Sequence, residues 1–345
     1  MRTLLSLLAL ALLLTSCSQD TNKKLKMTVG KDYLFLNDGM ERKYKIYEPT
    51  KLAENAPMVF VLHGMNGNST SAYLHGFNEL AEQYGFLVVY PDSHQKLVSF
   101  DEETIKAQSS DKQASMEEIL ALARGKATNC QNGDTFRVKY LTFTCKDGLP
   151  VTYNKRWNSG NQDALFDGQS DVKFLTELAV SLQEQFKTTA DKTFVAGFSN
   201  GGFMSYTLLC QGRNTFKAAG VVAGLIENNV LQSCPQKPQP IIHIHGVEDS
   251  MNPISGSEQN NFLDARGIVE HFANLNNSVR VQVRQVTQNT NKTVYLPESG
   301  GAEVQYYRIE KLDHIWPGGY NGGKKVSDES GINASKIIWD FFSKL

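Results

Sequence analysis

The chain has 345 residues, of which 41% are hydrophobic and 21% are charged, so its composition excludes a disordered or fibrous protein and permits a large core. Its formal net charge is -1 and no basic stripe is interleaved with aromatic residues, so nucleic acid is excluded as an expected partner. The length would allow two domains, but α/β folds often form one unit of this size, and one large domain is expected.

The N-terminus has the layout of an export signal. Arg2 precedes an apolar run at residues 4–14, which is too short to span a bilayer comfortably. The run continues into Leu-Thr-Ser-Cys, which ends at Cys17 and resembles the lipobox of bacterial lipoproteins. That resemblance implies cleavage before Cys17 and lipidation of this cysteine. An ordinary signal peptide with a chance cysteine is the alternative.

These features divide the chain into three expected parts. Residues 1–17 form a lipoprotein signal peptide, residues 18–30 a polar tether, and residues 31–345 a single folded domain. The protein is then expected in the periplasm or at the cell surface, held to a bacterial membrane only through its N-terminal lipid, or released from the cell.

Short apolar runs alternate with helical patterns along the rest of the chain. Residues 42–47 alternate between polar and apolar, which is typical of a half-exposed edge strand. Continuous apolar runs, which indicate strands buried on both faces of a parallel sheet, lie at residues 59–62, 86–90, 194–196, 219–223 and 241–244. Helical patterns lie at residues 71–84, 171–186, 203–210, 263–275 and 333–342. The alternation predicts a mostly parallel, doubly wound α/β sheet with helices on both faces.

One long polar segment, at about residues 95–155, interrupts this alternation. It contains a helical-looking piece at residues 116–123. A connection of this length is typical of a lid or binding loop, with a purely structural surface insertion as the alternative.

Four cysteines remain besides the one in the lipobox, and an exported protein can keep them as disulfides. Cys130 and Cys145 flank Asn-Gly-Asp at residues 132–134, a turn signal between two runs that could pair as a hairpin. Of the three possible pairings, we prefer Cys130 with Cys145 and Cys210 with Cys234. The chain has neither a C-x-x-C pair nor a Cys/His spacing typical of zinc, so no metal and no cofactor are expected.

Ser199 is the candidate nucleophile. It is the centre of Gly-Phe-Ser-Asn-Gly at residues 197–201, between an apolar strand and a helical pattern. Glycines on both sides permit the strained strand-to-helix turn that exposes a serine hydroxyl to a base. The alternative is a tight turn with an idle serine.

An acyl-transfer site also needs donors for the oxyanion. In the fold that carries a Gly-x-Ser-x-Gly turn between a strand and a helix, the residue after the nucleophile supplies one backbone donor. The loop after an earlier strand supplies the other. The backbone N–H groups of Asn200 and Met65 occupy these two positions, since His-Gly-Met at residues 63–65 follows a predicted strand. His63 precedes the serine in the chain, so we expect it to brace this loop and not to act as the base.

The chain order in this fold is serine, acid, histidine. Four histidines follow the serine, namely His243, His245, His271 and His314. His243 falls in a buried strand and His271 in a helix, which indicates structural roles. His314 lies in a loop after the apolar run at residues 304–309 and is therefore the candidate base.

The candidate acid is Asp249, in the loop that His245 introduces at the end of a strand. Glu248 and Asp313 are the rival acids, because each neighbours a proposed site residue. The set predicts acyl transfer, in which the histidine takes the serine proton, Asp249 orients the imidazole and water hydrolyses the acyl-enzyme.

Eight sequence blocks occur in the order found in one family. They are Leu-His-Gly at 62–64, Tyr-Pro-Asp at 90–92, Arg-Trp-Asn-Ser-Gly at 156–160, Asp-Val at 171–172, Gly-Phe-Ser-Asn-Gly-Gly at 197–202, Val-Ala-Gly at 222–224, His-Gly-Val-Glu-Asp at 245–249 and His-Ile-Trp-Pro-Gly-Gly at 314–319. From about residue 56 to its end, the chain resembles the feruloyl esterase and polyhydroxybutyrate depolymerase group of carbohydrate esterase family one.

The resemblance implies an α/β-hydrolase that acts as a serine esterase on small esters, polysaccharide-linked feruloyl or acetyl esters, or polyesters. A polyhydroxybutyrate depolymerase is the main alternative, and a serine peptidase and a catalytically inactive polysaccharide-binding lipoprotein are further ones. The resemblance also implies that Trp316 lines the acyl pocket, with a packing tryptophan as the alternative. Trp316 and His63 are thus the candidate substrate-binding residues.

The chain departs from the family pattern at three places. Asp313 stands where the family usually has glycine before the catalytic histidine. Residues 158–167 lack cysteines that many members carry there, and residues 95–155 have no evident counterpart. These departures leave the substrate undetermined by the resemblance.

Overall fold

The computed structural model describes residues 30–93, 95–99, 123–125, 131–138, 141–146, 149–160, 170–257, 261–321 and 324–345. The predicted signal peptide with Cys17, the tether up to residue 29, Cys130 and most of the helical-looking piece at 116–123 lie outside these residues. Within the described ranges, no helix has the length and apolar character needed to cross a membrane.

The strands, in chain order, are β1 Lys31–Asn37, β2 Met40–Tyr47, β3 Met58–Leu62, β4 Leu87–Pro91, β5 Gln95–Ser99, β6 Thr135–Val138, β7 Leu141–Lys146, β8 Leu149–Lys155, β9 Thr193–Phe198, β10 Ala218–Val222, β11 Ile241–Gly246, β12 Arg280–Gln285, β13 Thr290–Leu296, β14 Val304–Ile309, β15 Tyr320–Asn321 and β16 Lys324–Lys325. The helices are α1 Ser69–Tyr73, α2 Phe77–Tyr84, α3 Asp171–Phe186, α4 Asn200–Gln211, α5 Asn228–Gln232, α6 Ala265–Leu275 and α7 Ala334–Phe342, with a 3-10 turn at Ala190–Lys192.

A ten-stranded sheet forms the centre of the fold, in the order β1-β2-β4-β3-β9-β10-β11-β14-β13-β12. Its six inner strands, from β4 to β14, pair in parallel, which confirms the predicted parallel sheet. β3, β4, β10 and β11 are buried along their whole length, and their sequences are mostly apolar, with His243 and His245 as the buried polar residues of β11. The carboxyl ends of the six parallel strands lie at one edge of the sheet. The loops after β3, β9, β11 and β14 therefore lie at the same edge.

Helices cover both faces of this sheet. α3, α4 and α6 pack on one face and contribute Phe174, Tyr206 and Phe272 to its core. α1, α2 and α7 contribute Ala72, Phe77 and other residues to a second core on the opposite face. The doubly wound architecture expected from the sequence is therefore confirmed.

The outer strands differ from the prediction. β2 is not an edge strand, because β1 pairs with it antiparallel along its outer side. At the other end of the sheet, β13 and β12 extend β14 in antiparallel fashion. All six residues of β12 are exposed, including Val281 and Val283, which alternate with polar residues along the strand.

The prediction of a single helix at residues 71–84 is wrong. The chain forms two helices, α1 and α2, which are separated at Gly76. Gly76 has a φ of 87°, a left-handed conformation that ends the first helical turn and that glycine adopts without steric cost. The break turns the chain, and His75 beside it becomes buried.

The other predicted helices agree with the structure, whereas α5 at Asn228–Gln232 was not predicted. α3 has the predicted bounds, and α6 and α7 begin within two residues of them, where the side chains of Asp264 and Asn333 cap their first turns. α4 begins at Asn200, three residues before the predicted start, because it follows directly from the turn that contains Ser199.

The described parts of the segment at residues 95–155 include a four-stranded antiparallel sheet in the order β5-β8-β7-β6. Thr135 pairs with Thr144 and Val138 with Leu141, so β6 and β7 form an antiparallel pair that follows residues 132–134. The prediction that residues 132–134 form this turn is wrong, since that turn precedes β6.

One of the two predicted disulfides lies within the described residues. Cys210 at the end of α4 is bonded to Cys234 after α5, which confirms this pairing. Because Cys130 is outside the described residues, its pairing with the buried Cys145 stays a prediction.

Candidate active site

Ser199 lies between β9 and α4 in a strained turn. Its φ of 53° is unusual for a residue other than glycine. Its N–H donates to the carbonyl of Val222 at 2.9 Å, which ties the turn to the neighbouring strand. A Cβ on Gly197 would overlap the carbonyl of Gly201, so the turn can close only with glycine at this position. The sequence therefore holds the side chain of Ser199 at the carboxyl edge of the sheet.

The two candidate oxyanion donors flank this serine. Asn200 is the first residue of α4, whose N-terminus carries a partial positive charge. The loop after β3 packs against the turn, since a Cβ on Gly64 would lie 3.3 Å from the Cβ of Ser199. Among the described residues, the N–H groups of Met65 and Asn200 donate to no backbone carbonyl. Both N–H groups can therefore donate to an acceptor placed beside Ser199.

Trp157 connects the two segments that carry these donors. Its backbone N–H donates to Oδ1 of Asn200 at 2.6 Å, and Nδ2 of Asn200 donates to its carbonyl at 3.2 Å. Its indole Nε1–H donates to the carbonyl of His63 at 2.9 Å. Reasoning from the sequence missed this role: the Arg-Trp-Asn block was a family marker, and nothing in it shows which carbonyl the indole reaches.

A buried ion pair anchors the residue next to Trp157. Oδ1 of Asp171 lies 2.6 Å from Nη2 of Arg42, with both side chains at most 3% exposed. Oδ2 of Asp171 accepts the N–H of Asn158 at 2.7 Å, and the guanidinium lies 4.0 Å from the ring centre of Phe174. The Trp157 segment is therefore held to the core from β2 and α3.

His63 is buried and both of its ring nitrogens have partners. Nε2 accepts the N–H of Ser93 at 3.0 Å, so the proton sits on Nδ1, which donates to the carbonyl of Gly64 at 2.7 Å. Burial lowers the pKa of His63, which keeps the ring neutral in this arrangement. These contacts favour bracing of the loop, and substrate binding by His63 stays a prediction.

Asp249 and His314 form a close pair. Nδ1 of His314 lies 2.8 Å from Oδ2 and 3.0 Å from Oδ1 of Asp249, whose side chain is buried. The rival acids do not take this position: Glu248 is exposed, and Oδ1 of Asp313 accepts from the N–H and hydroxyl of Ser250. Because Nδ1 faces the acid, Nε2 is the nitrogen of His314 left for a serine proton.

The environment of Asp249 stabilises its charged form. Burial alone would raise the pKa of this carboxyl, but hydrogen bonds from His245, His314 and the backbone N–H of Asn252 outweigh burial and hold the pKa well below its usual value. The N–H of Met251 also donates to Oδ1, at 3.0 Å. Asp249 is therefore ionised at neutral pH.

The ring of His314 lies beside the serine turn. Its centre is 4.8 Å from that of Phe198, the residue that directly precedes Ser199. The structure thus brings together four loops of the sheet edge: those after β3, β9, β11 and β14. His243 and His271 lie in β11 and α6, and His243 is fully buried, in agreement with the structural role predicted for it.

Trp316 is packed beside this group. It is 5% exposed, its indole N–H donates to Oγ of Ser335 at 3.0 Å, and its ring stacks on His75 with the centres 4.1 Å apart. Its centre is 6.4 Å from that of Phe198. These contacts favour the packing alternative, and a role as the pocket wall stays a prediction. No sequence signal pointed to His75, whose Nε2 has no hydrogen-bond partner within the described residues.

Among the described residues, no cluster of three or more His, Cys, Asp or Glu side chains could hold a metal ion.

No family model matches the chain. Among curated relatives, the chain is 24% identical over 226 residues to a probable feruloyl esterase C from Aspergillus niger, which covers 63% of this chain and 73% of the relative. It is 29% identical over 134 residues to a probable feruloyl esterase C from Aspergillus clavatus, and this match spans 38% of the chain and about half, 47%, of that relative. It is 21% identical over 215 residues to a bifunctional acetylxylan esterase/xylanase from Neocallimastix patriciarum, covering 62% of this chain and 22% of the relative.

A similar solved structure is the acetyl xylan esterase from Aspergillus awamori. Its TM-score is 0.52 at 14% sequence identity, and the match covers 92% of this chain and 100% of that one. The chain has the α/β-hydrolase fold. The curated relatives described above are all named as esterases.

Proposed function

We propose that this chain is a serine esterase that hydrolyses carboxylic esters through an acyl-enzyme, with Ser199 as nucleophile, His314 as base and Asp249 as acid. The observation that carries the proposal is the buried Asp249–His314 pair, 2.8 Å apart, next to the strained turn that presents Ser199. A tight turn with an idle serine would need neither the acid nor the histidine.

In the proposed reaction, Oγ of Ser199 attacks the ester carbonyl carbon while Nε2 of His314 takes its proton. The N–H groups of Met65 and Asn200 donate to the oxyanion that forms. His314 then protonates the leaving alcohol, which leaves the acyl group on the serine. Water then attacks the acyl-enzyme while His314 takes its proton, the bond between the acyl carbon and Oγ of Ser199 breaks, and His314 returns the proton to Oγ as the carboxylic acid leaves. Asp249 remains ionised and stabilises the imidazolium in both steps.

For the substrate, we propose feruloyl or acetyl esters of polysaccharide. The named activities of the relatives, feruloyl and acetylxylan esterases, support this class. The family resemblance retains polyhydroxybutyrate depolymerase as the second candidate. A peptidase is disfavoured, because every relative described above bears the name of an esterase.

We further propose that the sheet β5–β8 borders the substrate site. Its last strand ends at Lys155, whose carbonyl accepts the N–H of Asn66 at 2.7 Å. Asn66 directly follows Met65, and Trp157 lies two residues after Lys155. The insertion is thus joined to the loop that carries one candidate oxyanion donor, where it can contact the alcohol or acyl part of a substrate.

The predicted export and lipidation at Cys17 would place this esterase outside the cytoplasm, where polysaccharide esters occur. Lipid anchoring to a bacterial membrane and a single catalytic domain at residues 31–345 are parts of the same proposal.

The substrate class can be tested with a panel containing methyl ferulate, acetylated xylan, p-nitrophenyl esters of increasing chain length, hydroxybutyrate oligomers and a peptide amide. We expect the highest kcat/KM on methyl ferulate or acetylated xylan, and none of these activities in a Ser199→Ala control. A preference for hydroxybutyrate oligomers would replace the polysaccharide ester by the second candidate. Cleavage of the peptide above every ester would overturn the esterase proposal.

A further inference from the structure

A row of buried side chains leads through the core to Asp249. Oη of Tyr206, on α4, lies 2.6 Å from Nδ1 of His243, on β11. Nε2 of His243 lies 3.0 Å from Nδ1 of His245. Each of the three side chains is at most 1% exposed. We call Tyr206, His243 and His245 the donor chain.

The donor chain ends on the turn that holds the acid. Nε2 of His245 lies 2.8 Å from the carbonyl of Asn252 and 3.5 Å from Oδ2 of Asp249. Asn252 in turn donates its N–H to Oδ1 of Asp249 at 2.7 Å and its Nδ2–H to the carbonyl of Ala223 at 2.8 Å. His245 therefore contacts both ends of the turn that fixes the carboxylate.

The partners determine where each proton of the donor chain sits. A carbonyl can only accept, so Nε2 of His245 carries a hydrogen and its Nδ1, in the neutral ring, accepts. His243 must then donate from Nε2, which leaves its Nδ1 to accept the hydroxyl hydrogen of Tyr206. Burial, and secondly the neighbouring His245, lowers the pKa of His243 well below its usual value, so this ring is neutral. The hydrogens thus all run in one direction, from Tyr206 to His245, and the last one is donated to the carbonyl of Asn252 at 2.8 Å, on the turn whose N–H groups bind Asp249.

We propose that Tyr206, His243 and His245 are positioning residues that orient the Asp249 carboxylate and draw off part of its charge, so that His314 stays correctly aligned and unprotonated at lower pH. This inference rests on the proposed function. A carboxylate that accepts more hydrogen bonds attracts the proton on His314 less strongly, so the donor chain extends the working range of the base toward acid.

The titratable groups around the donor chain are few among the described residues. His243 faces Tyr206 from α4, His245 on its own strand and Tyr306 on β14, whose ring centre is 5.7 Å away. At the other end, Asp249 faces His245 and His314.

Asp313 is the nearest further charge at this end. It precedes His314, and its carboxylate is bound to Ser250. A change in the acid limb of the activity profile after substitution in the chain therefore reports on Asp249 and His314.

The first test is independent of activity. In 15N-histidine-labelled Ser199→Ala protein, ring nitrogen shifts report the tautomer of each histidine. At pH 8 we expect the hydrogen of both His243 and His245 on Nε2, and His243 should remain neutral down to pH 5. A hydrogen on Nδ1 of either ring at pH 8, or protonation of His243 above pH 5, would overturn the directed chain.

The second test uses kinetics of the full chain. His245→Phe leaves the buried carbonyl of Asn252 without its donor and so loosens the turn whose N–H groups bind Asp249. We expect kcat to fall about 10- to 100-fold with little change in KM, comparable to the effect of leaving one buried acceptor unpaired. The acid limb of kcat/KM should also move to higher pH. His245→Gln keeps an N–H near the position of Nε2 and should restore most of kcat and the original limb.

Two tyrosine variants separate this effect from general destabilisation. Tyr206→Phe loses only the hydroxyl that fixes the tautomer of His243, and we expect a smaller shift of the acid limb in the same direction. Tyr90→Phe is the matched control, because Tyr90 is equally buried and its hydroxyl donates to Asn78 at 2.7 Å, outside the donor chain. It should leave the limb unchanged.

The proposal is overturned if the acid limb of kcat/KM stays at its wild-type pH in both His245→Phe and Tyr206→Phe. It is also overturned if the limb shifts equally in Tyr90→Phe. Failure of the wild-type chain to hydrolyse any ester would instead overturn the proposed function, while the tautomer measurement would still decide the hydrogen-bond direction.

Discussion

Trp157→Phe removes one indole N–H from the link between the two candidate oxyanion segments. The carbonyl of His63, which the indole satisfies at 2.9 Å, is left without this donor at a site where Trp157 is 1% exposed. An unpaired buried carbonyl costs about 1–3 kcal/mol. Because the smaller ring also leaves a cavity, we expect the free energy of unfolding to fall by about 2–4 kcal/mol.

The same change should lower activity more than binding. His63 begins the loop that carries Met65, so loss of the indole contact lets this candidate donor shift away from the oxyanion. Complete removal of one oxyanion donor costs about 10²- to 10³-fold in kcat. Since Trp157→Phe displaces the donor and does not remove it, we expect kcat to fall about 10- to 100-fold with KM nearly unchanged.

The control is Trp339→Phe, which makes the same change in α7. Trp339 is 5% exposed and stacks on Phe86 with the ring centres 3.9 Å apart, in the core on the other face of the sheet. Urea unfolding and steady-state hydrolysis of p-nitrophenyl acetate measure the two effects separately. Wild-type kcat in Trp157→Phe, or an equal loss of kcat in Trp339→Phe, would refute the positioning role.

Four further outcomes are expected. Asp249→Asn should lower kcat by about 10⁴-fold while the fold is kept, because an amide holds the histidine base in the wrong tautomer. Replacing Cys210 and Cys234 by serine should lower the free energy of unfolding by about 3 kcal/mol in urea titrations, since their disulfide closes a loop with a sequence separation of 24. Burial, and secondly the nearby His63, lowers the pKa of His75 from 6.5 to about 3, so between these values the unfolded chain binds a proton that the folded chain does not. Stability from this group is therefore lost as pH falls through that window, by up to about 1.4 kcal/mol per pH unit, and His75→Phe should reduce the difference in urea midpoint between pH 7 and pH 4.5. In a bacterial host, Cys17→Ser should abolish labelling with a fatty acid and release the protein from the membrane fraction.

The sequence predicts the centre of this fold well because the central strands are buried on both faces. β3, β4 and β10 consist of apolar residues, and β11 opens on the apolar pair Ile241–Ile242, a pattern typical of a parallel sheet. The order of motifs then assigns Ser199, Asp249 and His314 to loops at one edge, and the structure places the last two in contact.

The parts that sequence reasoning missed depend on contacts between distant segments. β12 is exposed at all six residues, so only its pairing with β13 defines it as a strand. The break at Gly76 competes with a helical pattern that continues on both sides of it. The link from Trp157 to His63 spans 94 residues, and no local pattern encodes which carbonyl an indole will reach.

The most direct test of the proposed mechanism is covalent labelling with a fluorophosphonate, followed by mass spectrometry of the labelled peptide. The wild-type chain should carry one label, on Ser199, and Ser199→Ala should carry none. The labelling rate of His314→Ala should be lower than that of the wild type by about 10³-fold, because the serine then lacks its base. A label on another residue, or equal rates in the wild type and His314→Ala, would contradict the triad.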